Sequence, residues 1–323
     1  MEIWSAAEIN RLLKNSSRIG LFDSGVGGLS VLRELQDFAS ATGQDIEFVY
    51  VADTARCPYG NRDTNQIRQY AAEIVTWLNR QALDLVIVAC NTSASLALSL
   101  AKQVSDVPVL DLISPTAEYV VAAAKIGVMA TASTVRSQAF SRAIKAVNAT
   151  AEVIEIGCPD LVPIVESGDI ERPETLQVLQ KYTSFMMEAK VESIILGCTH
   201  FPFLKKQIQK QVHEGIKIID PAESLTLACG GILSRFASDS KENSVSNISL
   251  RNDVSLQTTF YVTGSLSQFN MAATKCLGRS LENCRALSIT ELEENRSVYQ
   301  VHQVGHSDIS STAILSSIPV SST

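Results

Sequence analysis

The sequence predicts an α/β fold class: two similar lobes with mainly parallel sheets, related by pseudo-two-fold symmetry, with the active site in the cleft between them. Three observations predict it. Short apolar runs rich in Val and Ile alternate with longer helical patterns, as expected of helices packed on parallel strands. These runs fall into two sets of four, and landmarks of the first set recur in the second at a nearly constant separation, which is the mark of an internal repeat.

The first set of strands is expected at Arg18–Phe22, Ile46–Ala52, Leu85–Ala89 and Pro108–Leu110. The second is expected at Lys125–Met129, Glu152–Ile156, Ser193–Leu196 and Lys217–Ile219. Arg18-Ile19-Gly20-Leu21 matches Lys125-Ile126-Gly127-Val128 at an offset of 107, Cys90 and Cys198 are 108 apart, and Asp111 and Asp220, closing the fourth strands, are 109 apart. A duplication of this kind brings the two cysteine-bearing strand ends toward a shared cleft. The Pro-containing segments Ile113-Ser114-Pro115 and Asp220-Pro221-Ala222 are the expected crossovers between lobes. The first lobe is therefore expected to comprise residues 1–114 with 220–323, and the second residues 115–219. After Phe236 the composition turns to Ser, Asn, Asp and Lys, a loop signal, before an alternating run from Gln257 to Thr263 that is expected to rejoin the first lobe. From about Glu291 onward the Ser-rich tail reads as loosely ordered.

With 323 residues, 46% hydrophobic content and 19% charge, the chain supports large buried cores. A net charge of −7 argues against a nucleic-acid partner, which needs clustered Lys and Arg. Met1–Ser17 lacks the apolar core of a secretory signal, and no run approaches the roughly 18 apolar residues of a membrane span. A cytoplasmic protein without a membrane partner is expected. The seven cysteines are odd in number and show neither CxxC pairs nor disulfide-scaffold density, so reduced thiols and no metal site are expected.

The chemistry-bearing residues sit where the strands end. Open parallel sheets bind ligands outside the carboxyl ends of their strands. Cys90 closes the run Leu85–Ala89 and precedes Asn91-Thr92, while Cys198 closes Ile194–Gly197 and precedes Thr199-His200. A single cysteine is usually a small buried hydrophobe, but these two agree with the repeat. Cys57-Pro58 and Cys158-Pro159 are 101 apart, depart from it, and read as structural. Two thiols facing one site suggest chemistry on two faces of a substrate, with His200 as a proton partner for Cys198. Phe22 to Ser30 contains a glycine-rich stretch after a strand, suited to an anion, although it is neither GxGxxG nor a P-loop; a small carboxylate fits the same donors. Asp23 reads either as a helix cap or as a holder of a proton or ammonium group. Ser24, Asn91, Thr92 and Thr199 are short donors and acceptors suited to an amino acid, with turn and cap duties as the alternative. Glu166 ends an apolar run and reads equally as cleft-facing or solvated; His213, His302 and His306 lack metal-ligand spacing.

From about Ile19 to Leu287 the motifs resemble the cofactor-independent glutamate racemases of the wider aspartate/glutamate racemase superfamily. The likeness rests on Asp23-Ser24-Gly25-Val26-Gly27-Gly28, on Ala52-Asp53-Thr54-Ala55-Arg56 with Pro58-Tyr59-Gly60, and on Ala89-Cys90-Asn91-Thr92. It continues through Cys158-Pro159 with Val162-Pro163-Ile164-Val165-Glu166, then Leu196-Gly197-Cys198-Thr199-His200 and Thr263-Gly264. The resemblance implies racemisation of glutamate by two thiols, Cys90 and Cys198, without a cofactor or metal, supplying D-glutamate for peptidoglycan. It implies that Asp23 assists Cys90, that His200 and Glu166 assist Cys198, and that Asp23, Ser24, Tyr59, Gly60, Asn91, Thr92, Thr199 and His200 contact substrate. It also implies a homodimer. His200 after Thr199 favours glutamate over aspartate, since aspartate relatives tend to carry a carboxylate there. Ser93-Ala94-Ser95, Cys57 and the tail beyond Leu287 depart from the family pattern. A silent amino-acid sensor has no need of two acid-base groups, and a thiol oxidoreductase is disfavoured by the lack of CxxC.

Overall fold

The Val- and Ile-rich runs pair edge to edge into two parallel sheets. The computed structural model describes residues 17–227 and 257–294. Strands β1 (Ser17–Asp23), β2 (Ile46–Ala52), β3 (Leu85–Val88) and β4 (Val109–Asp111) belong to one sheet, and β5 (Lys125–Ala130), β6 (Glu152–Gly157), β7 (Ser193–Gly197) and β8 (Lys217–Ile219) form the other. The order β6-β5-β7-β8 reproduces the order β2-β1-β3-β4, and these pairings are all parallel. Ile19 lies between Phe48 and Leu85, as Ile126 lies between Val153 and Ser193. The repeat read from spacing is thus a repeat of topology.

The matched glycines have a packing reason. A Cβ on Gly20 would stand 2.4 Å from Leu83 Cδ1, and one on Gly127 would stand 2.6 Å from Met186 Sδ. Each central strand therefore lets a large apolar side chain approach its backbone closely.

β9 (Thr258–Val262) joins the outer side of β2, so the carboxy-terminal segment returns to the first sheet as expected. β10 (Cys284–Ala286) then pairs with β9 and completes six strands. Cys-Arg-Ala is too short for its alternation to be read as a pattern, so this edge strand carries no sequence signal. The Pro-containing segments expected as crossovers open helices. Ile113–Tyr119 and residues 221–227 are helical, because Pro is tolerated in a first helical turn. Asp111 accepts from the N–H groups of Ile113 (2.7 Å) and Ser114 (2.9 Å), and Asp220 accepts from that of Ala222 (2.9 Å). Both repeat-related aspartates therefore tie down the start of the following helix.

Two hydrophobic clusters hold the molecule together, and each draws on both sheets. One contains Ile19 and Leu21 with Met129 and Leu196; the other contains Phe22 and Val88 with Ile126 and Val128. Alternate residues of each strand thus feed opposite faces, and both faces are covered by helices. Each such fully buried side chain contributes about 1.5–3 kcal/mol. Among the described residues no helix is long and apolar enough to cross a membrane. The amino-terminal segment up to residue 16, the loop signal after Phe236 and the tail from residue 295 lie outside the described residues.

Candidate active site

Cys198 directly follows β7, Cys90 stands two residues past the end of β3, and the two line one cavity. Ser24, Tyr59, Gly60, Asn91, Thr92, Thr199 and His200 line it too, together with Pro58, Thr131 and Val162. Asp23 and Glu166 are not in the lining. They stand behind it, each bonded to a lining residue.

The Cys198 side is built around a buried imidazole. His200 Nδ1 lies 3.8 Å from Cys198 Sγ, and His200 Nε2 lies 2.6 Å from Glu166 Oε1. Glu166 sits near the end of the helix Leu161–Ser167, where the same oxygen also accepts from Val26 N–H (3.3 Å) and from the Cys57 thiol (3.9 Å). Burial pulls the His200 pKa down, but the hydrogen bonds and charges of Cys198 and Glu166 outweigh it and hold the ring well above its usual range. Burial likewise works to raise Glu166, yet the His200 contact wins and its carboxyl is lowered. The two shifts agree on one ion pair.

The Cys90 side carries the opposite electrostatics. Burial, with the Asp23 charge next, pushes the Cys90 thiol up to about 12. Asp23 is itself fully buried, which raises its carboxyl, and it accepts from Gly25 N–H (2.9 Å) and from the Thr199 hydroxyl (2.9 Å). Asp23 is not a helix cap. The helix Leu29–Thr42 begins at Gly28 without any side-chain cap.

The glycine-rich stretch holds the protein's own carboxylates. Gly25 N–H donates to Asp23 and Val26 N–H to Glu166. A Cβ on Gly25 would meet Glu166 Oε1 at 2.3 Å, and one on Gly27 would meet His200 Nδ1 at 2.4 Å. These glycines let the loop after β1 close on Glu166 and His200. The anion-friendly loop was legible in the sequence; its occupants were not.

Further polar groups line the cavity. Both amide atoms of Asn91 are buried without a partner among the described residues, which is costly unless a bound polar group pairs with them. Thr92 and Thr131 share a hydroxyl contact of 3.0 Å, and Thr131 also meets Thr134 at 3.0 Å. Sequence reasoning missed Thr131, although the offset of 107 carries Ser24 onto it. Behind Tyr59 lies a buried hub at Asp53, which accepts from the Tyr59 hydroxyl, from Arg56 Nε (2.7 Å) and from Thr263 Oγ1 (2.8 Å). Arg56 continues to Glu73 at 2.5 Å. Thr263 directly follows β9, so the returning carboxy-terminal segment helps to hold the pocket's tyrosine.

Of the two cysteines expected to be structural, Cys158 is fully buried outside the cavity lining, whereas Cys57 reaches the Glu166 carboxylate. His302 and His306 lie outside the described residues.

A sequence model described as Asp/Glu/Hydantoin racemase matches residues 19–229. The chain belongs to that family. Within the Asp/Glu/hydantoin racemase family it is similar to the glutamate racemase of Trichodesmium erythraeum, 42% identical over 64% of this chain and 76% of the relative. It is also similar to that of Prochlorococcus marinus, 38% identical over 79% of this chain and 91% of the relative. Among solved structures, the fold resembles the glutamate racemase of Francisella tularensis in complex with D-glutamate, with a TM-score of 0.73 and 27% identity over 86% of this chain and 98% of that one. The Thermus thermophilus glutamate racemase, in complex with beta-chloro-D-alanine, gives a TM-score of 0.70 and 33% identity over 85% and 98%.

Proposed function

We propose that this chain is a glutamate racemase that interconverts L- and D-glutamate by a two-thiol proton transfer, supplying D-glutamate for peptidoglycan. The observation that carries the reading is the pair of buried thiols, Cys90 and Cys198, lining one cavity with unequal electrostatic surroundings. Relatives named glutamate racemase that align over most of their length support the substrate.

The surroundings assign roles for one direction of turnover. The Cys198 sulfur, with the cationic His200 ring against it, takes the α-proton as a thiolate. The electron pair of the broken C–H bond moves into the α-carboxylate, and the Cys90 thiol delivers its proton to the opposite face of the same carbon. Thiol and thiolate have then exchanged places, and the reverse reaction uses them in the opposite sense. Charge building on the substrate carboxylate needs fixed donors in a site shielded from water, and Ser24, Asn91, Thr92 and Thr199 are suited to supply them. No step calls for a cofactor or metal.

The same reading assigns residues 1–114 and 220–323 to the first lobe and 115–219 to the second, and includes a cytoplasmic homodimer. Its decisive test is glutamate incubated with the protein in deuterium oxide, followed by chiral analysis. Deuterium is expected at the α-carbon of both enantiomers, and Cys90→Ser and Cys198→Ser are each expected to lose racemisation by at least about 100-fold. Normal two-way turnover in either variant would defeat the two-thiol mechanism, and faster turnover of aspartate would reassign the substrate.

A further inference from the structure

Beside the substrate cavity, but separate from it, is a hollow of about 350 Å³ lined by Arg62, Thr64 and Leu96 on one side and Ser133, Arg136 and Ser137 on the other. The first group flanks or lies on helices packed against the first sheet, and the second belongs to the helix Ala132–Ser137 that follows β5. Its charged groups are Arg62, Arg136 and Asp63. Asp63 Oδ1 is already engaged by the N–H groups of Asn65 (2.8 Å) and Gln66 (3.0 Å) at the start of the helix Thr64–Leu78. Among the described residues both guanidiniums meet only neutral acceptors: Arg62 donates to the Arg56 carbonyl (3.3 Å) and Arg136 to Ser133 Oγ (2.8 Å). Neither forms an ion pair among the described residues, in a chain whose net charge is −7.

We propose that Arg62 and Arg136 form an oxyanion-binding site that spans the two lobes and, when occupied by a phosphate- or carboxylate-bearing small molecule, holds the substrate cleft closed. The guanidinium fork matches either oxyanion. The link to the cleft is short: Ser133 Oγ, which receives the Arg136 bond, itself donates to the carbonyl of Gly60 at 2.7 Å, and Gly60 lines the substrate cavity. An anion bridging the two arginines adds an inter-lobe contact in parallel with the Ser133–Gly60 bond. Because it favours the closed form, it acts on substrate retention and not on the proton transfers. The kinetic consequence rests on the racemase reading; the binding itself does not.

The test uses the full chain with inorganic phosphate as the probe. Saturable binding is expected by phosphorus NMR, weakened by roughly tenfold or more in the Arg62→Gln/Arg136→Gln double variant, since each guanidinium supplies charge-assisted bonds. Arg136→Lys, which keeps the charge, is expected to recover part of the binding, and Arg172→Gln, a surface arginine paired with Asp169, to leave it unchanged. Occupancy is expected to lower the glutamate KM while kcat moves less. Absence of saturable binding, equal binding in the double variant, or phosphate acting as a plain competitor of glutamate would overturn the proposal. Phosphate binding lost in the double variant of a protein that does not racemise glutamate would instead retain the site and defeat the racemase reading. Acetate and phosphate titrated in parallel into the full chain and into the double variant separate the two ligand classes: the anion whose binding is lost in the double variant is the one this site takes, and loss of neither overturns the proposal.

Discussion

Replacing Glu166 by Gln removes one negative charge from the His200 ring while keeping the side chain's shape and an oxygen for Val26 N–H. In the native protein the Glu166–His200 contact is 2.6 Å, with His200 2% and Glu166 28% exposed at the side chain. A hydrogen bond to a charged partner is worth about 1.5–3 kcal/mol, and the partial exposure of Glu166 places this one in the lower half. A loss of about 1.5–2 kcal/mol corresponds to roughly 10- to 30-fold in turnover. The pH dependence follows from the two shifts. His200 is raised above 6.5, so its contribution to stability is full below that pH and is lost as pH rises through the higher folded value. Glu166 is lowered from 4.5, so its contribution is present above that pH and is lost as pH falls through the folded value. In Glu166→Gln the acid-side term vanishes, and the loss from His200, which still starts near 6.5, is complete at a lower pH. Urea denaturation across a pH series measures the first effect, and the imidazole resonances, with His200 assigned by its own substitution, measure the second. An unchanged His200 titration in Glu166→Gln would refute the ion-pair account.

Three further outcomes are expected. Gly27→Ala puts a methyl group 2.4 Å from His200 Nδ1, so steady-state assays should show lost turnover and calorimetry a stability loss of about 1–3 kcal/mol from overpacking. Thr263→Val strips a donor from fully buried Asp53, and should cost about 1–2 kcal/mol in denaturation and raise the glutamate KM through Tyr59, with Thr263→Ser restoring both. Asp220, raised by burial from 3.8 to about 6, favours the fold most below the lower value and loses that advantage as pH rises to the upper one. Asp220→Asn should therefore raise the melting temperature more at pH 8 than at pH 5, by up to about 3 kcal/mol in stability; an equal effect at both would contradict the assigned shift.

What was legible in the sequence was what the backbone repeats. Hydrophobic runs mark strands because burial on both sheet faces demands them, and Cys90 and Cys198 stood out because a duplicated chain places them at matching strand ends. Pairings made by folding were not legible. Nothing local joins Glu166 to His200, Asp23 to Thr199 or Asp53 to Thr263; these contacts span 34, 176 and 210 residues. Even the resemblance assigned Glu166 only a helper's role, without the second bond to Val26 or the thiol of Cys57. Thr131 was within reach of the repeat offset, because a serine at one strand end and a threonine at its mate serve the same turn and the same cavity.

The duplication also explains where the symmetry fails. The offset of 107 carries Asp23 onto Ala130, and the offset of 108 carries Thr92 onto His200. Each lobe thus contributes one charged group that its mate lacks, negative beside Cys90 and positive beside Cys198. The two are not independent, since Asp23 feels the His200 charge and holds the hydroxyl of the adjacent Thr199. Enantiomers have equal free energy in water, so the ratio kcat/KM must be the same in both directions of a racemisation whatever the catalyst's asymmetry. That constraint leaves kcat and KM individually free. On the two-thiol reading, the enantiomer whose α-proton faces Cys198 meets a sulfur with a cationic ring against it, while the other meets a thiol beside Asp23 that is raised to about 12. The two directions should therefore differ in kcat and in KM by the same factor. Identical kcat values measured from pure L- and pure D-glutamate would mean that the unequal surroundings of the two thiols are levelled when substrate binds.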